Sequence, residues 1–170
     1  MDPVFLHYYN RGVNRGPIFF DEENFLYLTD LMYRFLPFYK VDLVAYCLMP
    51  NHYHILLEEI ELKQASRFIQ RVFNSYTQGM NKCYSRVGTL FQGSAKHTEV
   101  SIDDDLSTVV GYIHHNPVAA GLVKDASNWK YSDLNEWAGK IGSPRKVIQY
   151  RDLLFGPEFD YLEFVAKYRT

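Results

Sequence analysis

The residues CLMPNHYHILL (47–57) contain the end of one predicted strand, a short connection and the start of the next strand. Residues 41–48 are rich in Val, Leu, Ala and Tyr, and residues 52–58 are largely apolar apart from two histidines and a glutamate. Only residues 49–51 separate the two segments. Parallel strands need a crossover of about a dozen residues or more, so this short connection predicts an antiparallel hairpin.

The sequence on either side of the hairpin alternates between strand and helix patterns. β-Branched and aromatic runs predict strands, and apolar residues at helical spacing predict helices. Asp21 is a predicted helix cap, since two glutamates follow it in the first turn. The predicted elements around the hairpin are a strand at 4–10, a helix from Asp21 to Leu36, a helix at 62–84, a strand at 95–102 and a helix through Leu106 that stops at Asn116-Pro117.

This order of elements predicts an α+β fold. It fits a ferredoxin-like antiparallel sheet with helices packed on one face. Past Gly121 the pattern weakens into a short helix near Trp137, and residues 139–170 are predicted to be a linker and a C-terminal helical extension of the same domain. Such a fold hosts many activities, so function has to be argued from the site.

The composition is that of an ordinary globular domain. The chain has 170 residues, 47% hydrophobic and 22% charged, which fits one domain and excludes a disordered chain. The formal net charge of −2 argues against tight non-specific duplex binding, which relies on positive charge. Cys47 and Cys83 provide neither a disulfide framework nor a metal-binding spacing. With no signal pattern and no apolar run long enough for a membrane span, we expect a cytoplasmic protein without a membrane partner.

Two histidines in the second strand of the hairpin are candidate metal ligands. Side chains alternate across a strand, so His52 and His54 point to the same face. Two neutral imidazoles on one face can share a transition-metal ion. The pattern alone is weak, because a single histidine in a strand is more often a satisfied core or surface residue.

A tyrosine and an asparagine in the third predicted helix supply a context for the histidines. Tyr112 and Asn116 are four residues apart and therefore lie on one helical face. Asn116 can offer an amide oxygen as a third metal ligand, and Tyr112 a hydroxyl nucleophile, which needs a nearby positive charge or base. Considered singly, a residue such as Tyr112 is more often a packing aromatic, and one such as Asn116 is more often a helix-terminating residue.

These motifs resemble those of the single-tyrosine HUH transposases of the insertion-sequence-200-like family, particularly the REP-associated branch. The segment 47–57 is similar to their His-hydrophobic-His strand, and GYIHHNPVAAGLV (111–123) is similar to their nucleophile helix. The segments HYYNRGVNR (7–15) and WKYS (129–132) are also similar. The resemblance covers most of residues 1–138, which it predicts to be the catalytic domain.

The resemblance implies a metal-dependent enzyme that cuts single-stranded DNA, with an adjacent hairpin as part of the substrate. It implies a 5′-phosphotyrosine intermediate with a free 3′-OH, which a 3′-OH from another strand later reverses. Members of the family act as homodimers or as monomers. By motif position, the residues that bind Mg²⁺ or Mn²⁺ are His52, His54 and Asn116, and the nucleophile is Tyr112.

Other polar residues are candidates for contacts with DNA. Basic residues at helical spacing in the second helix, together with basic residues near the first and last strands, can follow a DNA backbone. The alternative is an ordinary solvated surface. These residues are Lys63, Arg67, Arg71, Arg11, Arg15 and Lys96.

Two further histidines follow Tyr112. His115 could line the same cleft, but the favoured interpretation is that His114 and His115 are exposed or capping residues near a helix C-terminus.

Two other functions fit the same pattern. A non-catalytic module could hold single strands by stacking them on aromatic residues such as Tyr8 and Tyr46. A metal-activated phosphodiesterase could use water as the nucleophile. The first would need neither His52 nor Tyr112, and the second would need the metal but not Tyr112.

Overall fold

Four antiparallel strands form the central sheet of the structure, a computed structural model that describes residues 3–102 and 105–168. They are β1 (Val4–Arg11), β2 (Val41–Met49), β3 (His52–Glu59) and β4 (Lys96–Val100). The sheet has the order β2-β3-β1-β4, and β2 and β3 form the predicted hairpin. The predicted α+β fold with an antiparallel sheet is confirmed.

In the described part of the chain, two long helices connect the strands, and four α-helices follow the last strand. α1 (Glu22–Phe35) joins β1 to β2, and α2 (Gln64–Cys83) joins β3 to β4. None of the described helices is both long and apolar enough to cross a membrane. The helices after β4 are α3 (Leu106–Ala119), α4 (Leu134–Trp137), α5 (Val147–Phe155) and α6 (Tyr161–Lys167).

One face of the sheet is covered by α1 and α2. Leu6 and Tyr8 of β1 and Tyr53 of β3 point to this face and belong to one buried cluster with both helices. Tyr53 stacks on Phe73 of α2, with ring centroids 4.0 Å apart. Many of the aromatic residues therefore form the core here.

The other face carries α3, which corrects the prediction that all helices pack on one face. Phe5, Val44 and Leu56 of the sheet share a second buried cluster with Val110 and Ile113 of α3. The physical reason is that the central strands are apolar on both sides, so each side needs a cover. All but one residue of β2 is buried.

α3 also continues beyond its predicted end. It stops at Ala119 rather than at Asn116-Pro117. Pro117 lacks the N–H that would donate to the Ile113 carbonyl, so α3 loses one hydrogen bond there but continues for two more residues. Gly121 adopts a positive φ of 70° and the N–H of Leu122 donates to the Pro117 carbonyl, as in a Schellman termination. Asn116 is therefore part of the helix.

A buried polar cluster fastens α3 to the C-terminal part of the chain. His114 lies 2.8 Å from Asp133 through Nε2 and 2.7 Å from the Tyr161 hydroxyl through Nδ1. Arg145 donates to the other Asp133 oxygen at 2.8 Å. Burial raises the pKa of Asp133, but Arg145 and the hydrogen bonds from His114 and the Tyr46 N–H outweigh it and hold that pKa below its ordinary value.

Candidate active site

A cleft of about 540 Å³ opens on the α3 face of the sheet, where β3 begins. We name it the histidine cleft because His52 and His54 line it together with Tyr112. The sequence predicts that His52, His54 and Tyr112 act together, and the structure places all three in this cleft. The remaining lining residues are Tyr9, Asn10, Arg11, Arg15, Asn51, Tyr53, Gln92 and Lys96.

Hydrogen bonds orient the ring of His52. Asn51 donates through Nδ2 to the Arg15 carbonyl at 3.1 Å, which leaves its Oδ1 to accept from Nδ1 of His52 at 2.7 Å. In a neutral ring, Nε2 then carries a lone pair. This nitrogen lies 3.4 Å from Oδ1 of Asn116. Two acceptors that face each other at this distance favour a cation between them.

The loop after β1 supports this arrangement. Gly12 donates its N–H to the Asn51 carbonyl at 2.9 Å. A Cβ on Gly12 would lie 2.1 Å from the Gly16 carbonyl oxygen, so only glycine fits at this close approach. The loop therefore holds Asn51 in place beside His52.

His7 of β1 belongs to the site, although sequence reasoning did not assign it a role. Its Nε2 lies 3.0 Å from Nδ1 of His54, so one ring donates to the other and Nε2 is the nitrogen through which His54 can bind an ion. A signal was present, because His7, Tyr9 and Arg11 alternate on one face of β1. The alternation alone does not place His7 beside His54; the register between β1 and β3 is needed for that.

Burial lowers the pKa of each of these three histidines. Desolvation lowers the pKa of His7 from 6.5 to about 4. It also lowers the pKa of His52, although the Asn116 oxygen, which can accept a hydrogen bond only from the protonated Nε2, acts in the opposite direction. The pKa of His54 is lowered well below its usual value, first by desolvation and then by His7 and His52. The rings are neutral at neutral pH, the state in which imidazole binds a metal.

Tyr112 stands beside the histidines. Its ring lies 5.2 Å from the His54 ring, centroid to centroid and nearly perpendicular to it, and 6.3 Å from the His7 ring. The side chain is partly exposed to the histidine cleft. Asn116 is one helical turn further along α3, so the hydroxyl and the amide face the same strand.

The C-terminal end of the described chain packs on the helix that carries Tyr112. A Cβ on Gly111 would lie 2.8 Å from Tyr168 and 2.9 Å from Phe164, so this glycine permits close packing. The Tyr168 hydroxyl donates to the Thr108 carbonyl at 3.1 Å. Burial and then the nearby Tyr112 raise the pKa of Tyr168. Residues after α5 thus help to position α3.

The donors that converge here fit a divalent cation. No group of three His, Cys, Asp or Glu side chains suited to a metal occurs in residues 3–102 and 105–168. His7 is a partner of His54, because its Nε2 lies 3.0 Å from Nδ1 of that ring. The candidate set is instead two neutral imidazoles and one amide oxygen. Imidazole and carbonyl-type oxygen together suit ions between the soft and hard classes.

The predicted basic residues fall on two surfaces. Three of them border the histidine cleft, and the other three are exposed along α2 on the opposite face of the sheet. The first group is Arg11, Arg15 and Lys96, and the second is Lys63, Arg67 and Arg71.

The two histidines after Tyr112 lie where neither expectation placed them. Both His114 and His115 are buried rather than exposed. Nδ1 of His115 lies 3.1 Å from the Val165 carbonyl oxygen of α6, and His115 is not among the residues that line the histidine cleft. Successive residues of a helix point about 100° apart, so His115 and the neighbouring Asn116 point to different sides of α3.

Comparison with known families identifies the chain. The profile of the family described as Transposase IS200 like matches residues 5–116. The chain belongs to this family. It is therefore an enzyme of the transposase type, with DNA cleavage and strand transfer as its activity. The family expected from the histidine and tyrosine motifs is confirmed, and the matched range includes all four predicted metal-binding and nucleophilic residues.

Two individual proteins are similar to this IS200-like transposase. A Haemophilus influenzae protein with the provisional name REP-associated tyrosine transposase is 25% identical over 151 residues, which cover 75% of this chain and 85% of that protein. A solved structure of a REP-associated tyrosine transposase bound to a REP hairpin aligns with a TM-score of 0.69 and 17% identity, over 81% of this chain and 80% of the other. The latter likeness shows the shared fold.

Proposed function

We propose that this transposase cuts and rejoins single-stranded DNA through a covalent 5′-phosphotyrosine, with Tyr112 as nucleophile. His52, His54 and Asn116 hold Mg²⁺ or Mn²⁺ beside it. The DNA carries a hairpin next to the cleavage site, in keeping with the REP hairpin bound by the solved relative.

One observation carries this proposal. Nε2 of His52 and Oδ1 of Asn116 face each other at 3.4 Å, next to His54 and to the tyrosine one turn earlier on α3. If Tyr112 only packed the core and Asn116 only ended a helix, neither would need to lie beside two neutral histidines. When bound, a divalent ion polarises the phosphate and orients the scissile bond.

The proposed cleavage is a transesterification. The Tyr112 oxygen attacks the phosphorus, a new P–O bond forms to the tyrosine, and the bond from phosphorus to the 3′ oxygen breaks. The phenol loses its proton and the leaving 3′ oxygen gains one, so the products are a 5′-phosphotyrosine and a 3′-OH. Attack by a 3′-OH from another strand reverses the step. Arg11, Arg15 and Lys96 bind phosphates at the mouth of the histidine cleft.

The test is a search for a protein–DNA adduct that survives denaturation. Labelled single-stranded DNA with a hairpin is incubated with protein and Mn²⁺, and adducts are separated on a denaturing gel. We expect an adduct with the native chain and none in the presence of a chelator. Tyr112→Phe abolishes it, because phenylalanine has no nucleophilic oxygen.

The matched control is Tyr9→Phe, which alters the other partly exposed tyrosine of the histidine cleft and should leave the adduct intact. Cleavage without any adduct would favour a water-using phosphodiesterase. Binding without cleavage would favour a non-catalytic module. An adduct that persists in Tyr112→Phe would show that Tyr112 is not the nucleophile.

A further inference from the structure

We propose that a second groove, on the face of the sheet opposite the histidine cleft, binds unpaired bases of the DNA strand that enters that cleft. The inference rests on the proposed function for its choice of ligand. The groove has a volume of about 880 Å³ and lies between α2 and residues 89–97. We name it the amide groove after Asn10, Gln70, Asn74 and Gln78, which line it.

The wall of the amide groove is a row of neutral side chains that can read bases. Gln70, Asn74 and Gln78 are spaced by four residues, so they form one exposed row on α2. Within the described part of the chain, none of the three side chains makes a hydrogen bond. An amide both donates and accepts, and can therefore pair with the edge of a base, whereas a phosphate accepts only.

The floor of the groove offers an aromatic surface for stacking. His97 of β4 is exposed, and its ring lies 5.0 Å from the buried ring of Tyr8, centroid to centroid and tilted by 33°. β4 is an edge strand whose first four residues are exposed. Bases of single strands stack on such rings without regard to their identity.

The charge around the groove suits a nucleic acid. Among the described residues that line it, none is acidic. On the outer side of the amide row, Arg67 and Arg71 border a shallow hollow that shares Gln70, Asn74 and Gln78 with the groove. Cationic side chains next to amides let the backbone lie over the arginines while the bases point to the amides.

The amide groove and the histidine cleft meet at one end of the sheet. Asn10 and Tyr53 line both. The segment 92–97 borders both as well, since Gln92 and Lys96 line the histidine cleft and the residues between and after them line the groove. One strand of DNA that passes this segment can therefore contact both. Unpaired DNA fits better than a duplex, whose base edges are accessible only within its own grooves.

The test compares two substrates that differ only in their unpaired bases. Both contain the same hairpin and single-stranded flank, but one flank is abasic. Affinities are measured with Tyr112→Phe protein without metal, so that no cleavage intervenes. The variant Gln70→Ala/Asn74→Ala/Gln78→Ala removes the amide row at exposed helix positions, where alanine favours the helix. The matched control is Gln149→Ala, an exposed glutamine on α5.

We expect the triple variant to bind the substrate with intact flank about 10-fold more weakly, since a good amide–base pair discriminates by about this factor or more. Its affinity for the abasic substrate, and both affinities of Gln149→Ala, should not change. If the protein with the unaltered groove binds both substrates with equal affinity, the proposal is overturned. So would an equal loss on both substrates in the triple variant.

The adduct assay separates this inference from the proposed function. If the native chain forms the Tyr112 adduct but the triple variant keeps its affinity for the intact flank, the amide groove does not bind bases and the catalytic proposal stands. If no adduct forms but the triple variant loses that affinity, the groove stands as a DNA-binding site and the catalytic proposal fails.

Discussion

The two pairs of histidines differ in how far the protein satisfies them. His52 and His54 lie on a strand and line the histidine cleft, and Nε2 of His52 faces the Asn116 oxygen. His114 uses both nitrogens, on Asp133 and Tyr161, and His115 is bound to a backbone carbonyl. A buried histidine with its partners inside the protein holds the fold together, whereas one with a free lone pair is available to an ion.

The largest effect separating the two pairs should come from removing a ligand. His54→Ala is expected to lower Mn²⁺ affinity by more than about 100-fold, beyond the 10–100-fold typical of outer-shell changes. Adduct formation should be lost with it. Isothermal titration calorimetry measures the affinity, and His115→Ala, which lies outside the histidine cleft, is the matched control. Unchanged Mn²⁺ binding in His54→Ala would contradict the ligand assignment.

The reverse effect is expected for His114→Ala. The change removes two buried hydrogen bonds and leaves polar partners unsatisfied, so the free energy of unfolding should fall by about 3 kcal/mol. Mn²⁺ affinity of the folded protein should not change. Denaturant titration measures the stability, with His52→Ala as the comparison and little loss expected there. Equal losses for both variants would remove the distinction between the two pairs.

His7 provides an intermediate case, because it holds a ligand without being one. His7→Phe keeps a ring but removes the hydrogen bond to His54, and we expect Mn²⁺ affinity to fall about 10- to 100-fold. His7→Gln can still bond to His54 and should recover part of the loss. Calorimetry again supplies the measurement. If His7→Phe binds Mn²⁺ like the native chain, packing alone positions His54.

The smallest expected effect on DNA binding concerns the arginines. Like the histidines, they divide into residues that are paired inside the protein and residues that are not. Arg145 is paired internally with Asp133 and Glu136, whereas Arg67 and Arg71 are exposed on α2. Arg67→Ala/Arg71→Ala should lower the slope of log affinity for single-stranded DNA against log salt by about 1–2, as expected for two lost phosphate contacts. Arg34→Ala on α1 is the control. An unchanged slope would exclude these arginines from the DNA contact surface.

Much of the site could be predicted because it depends on short-range geometry. Alternation along a strand puts His52 and His54 on one side whatever the rest of the chain does, and helical periodicity does the same for Tyr112 and Asn116. The hairpin, the Asp21 cap and the order of elements were likewise predicted from neighbouring residues, and the structure adds that the Asn24 side chain bonds back to the backbone of Asp21. The resemblance to the transposase family was also based on these local patterns.

The sequence by itself therefore determined which side chains share a face of their own strand or helix. Only the tertiary structure decided which faces meet: that α3 covers the second face of the sheet, that His7 reaches His54 across 47 residues, and that His115 turns toward α6. The physical reason is that local sterics set direction within an element, whereas the pairing of elements follows from burying the apolar surface of the whole chain.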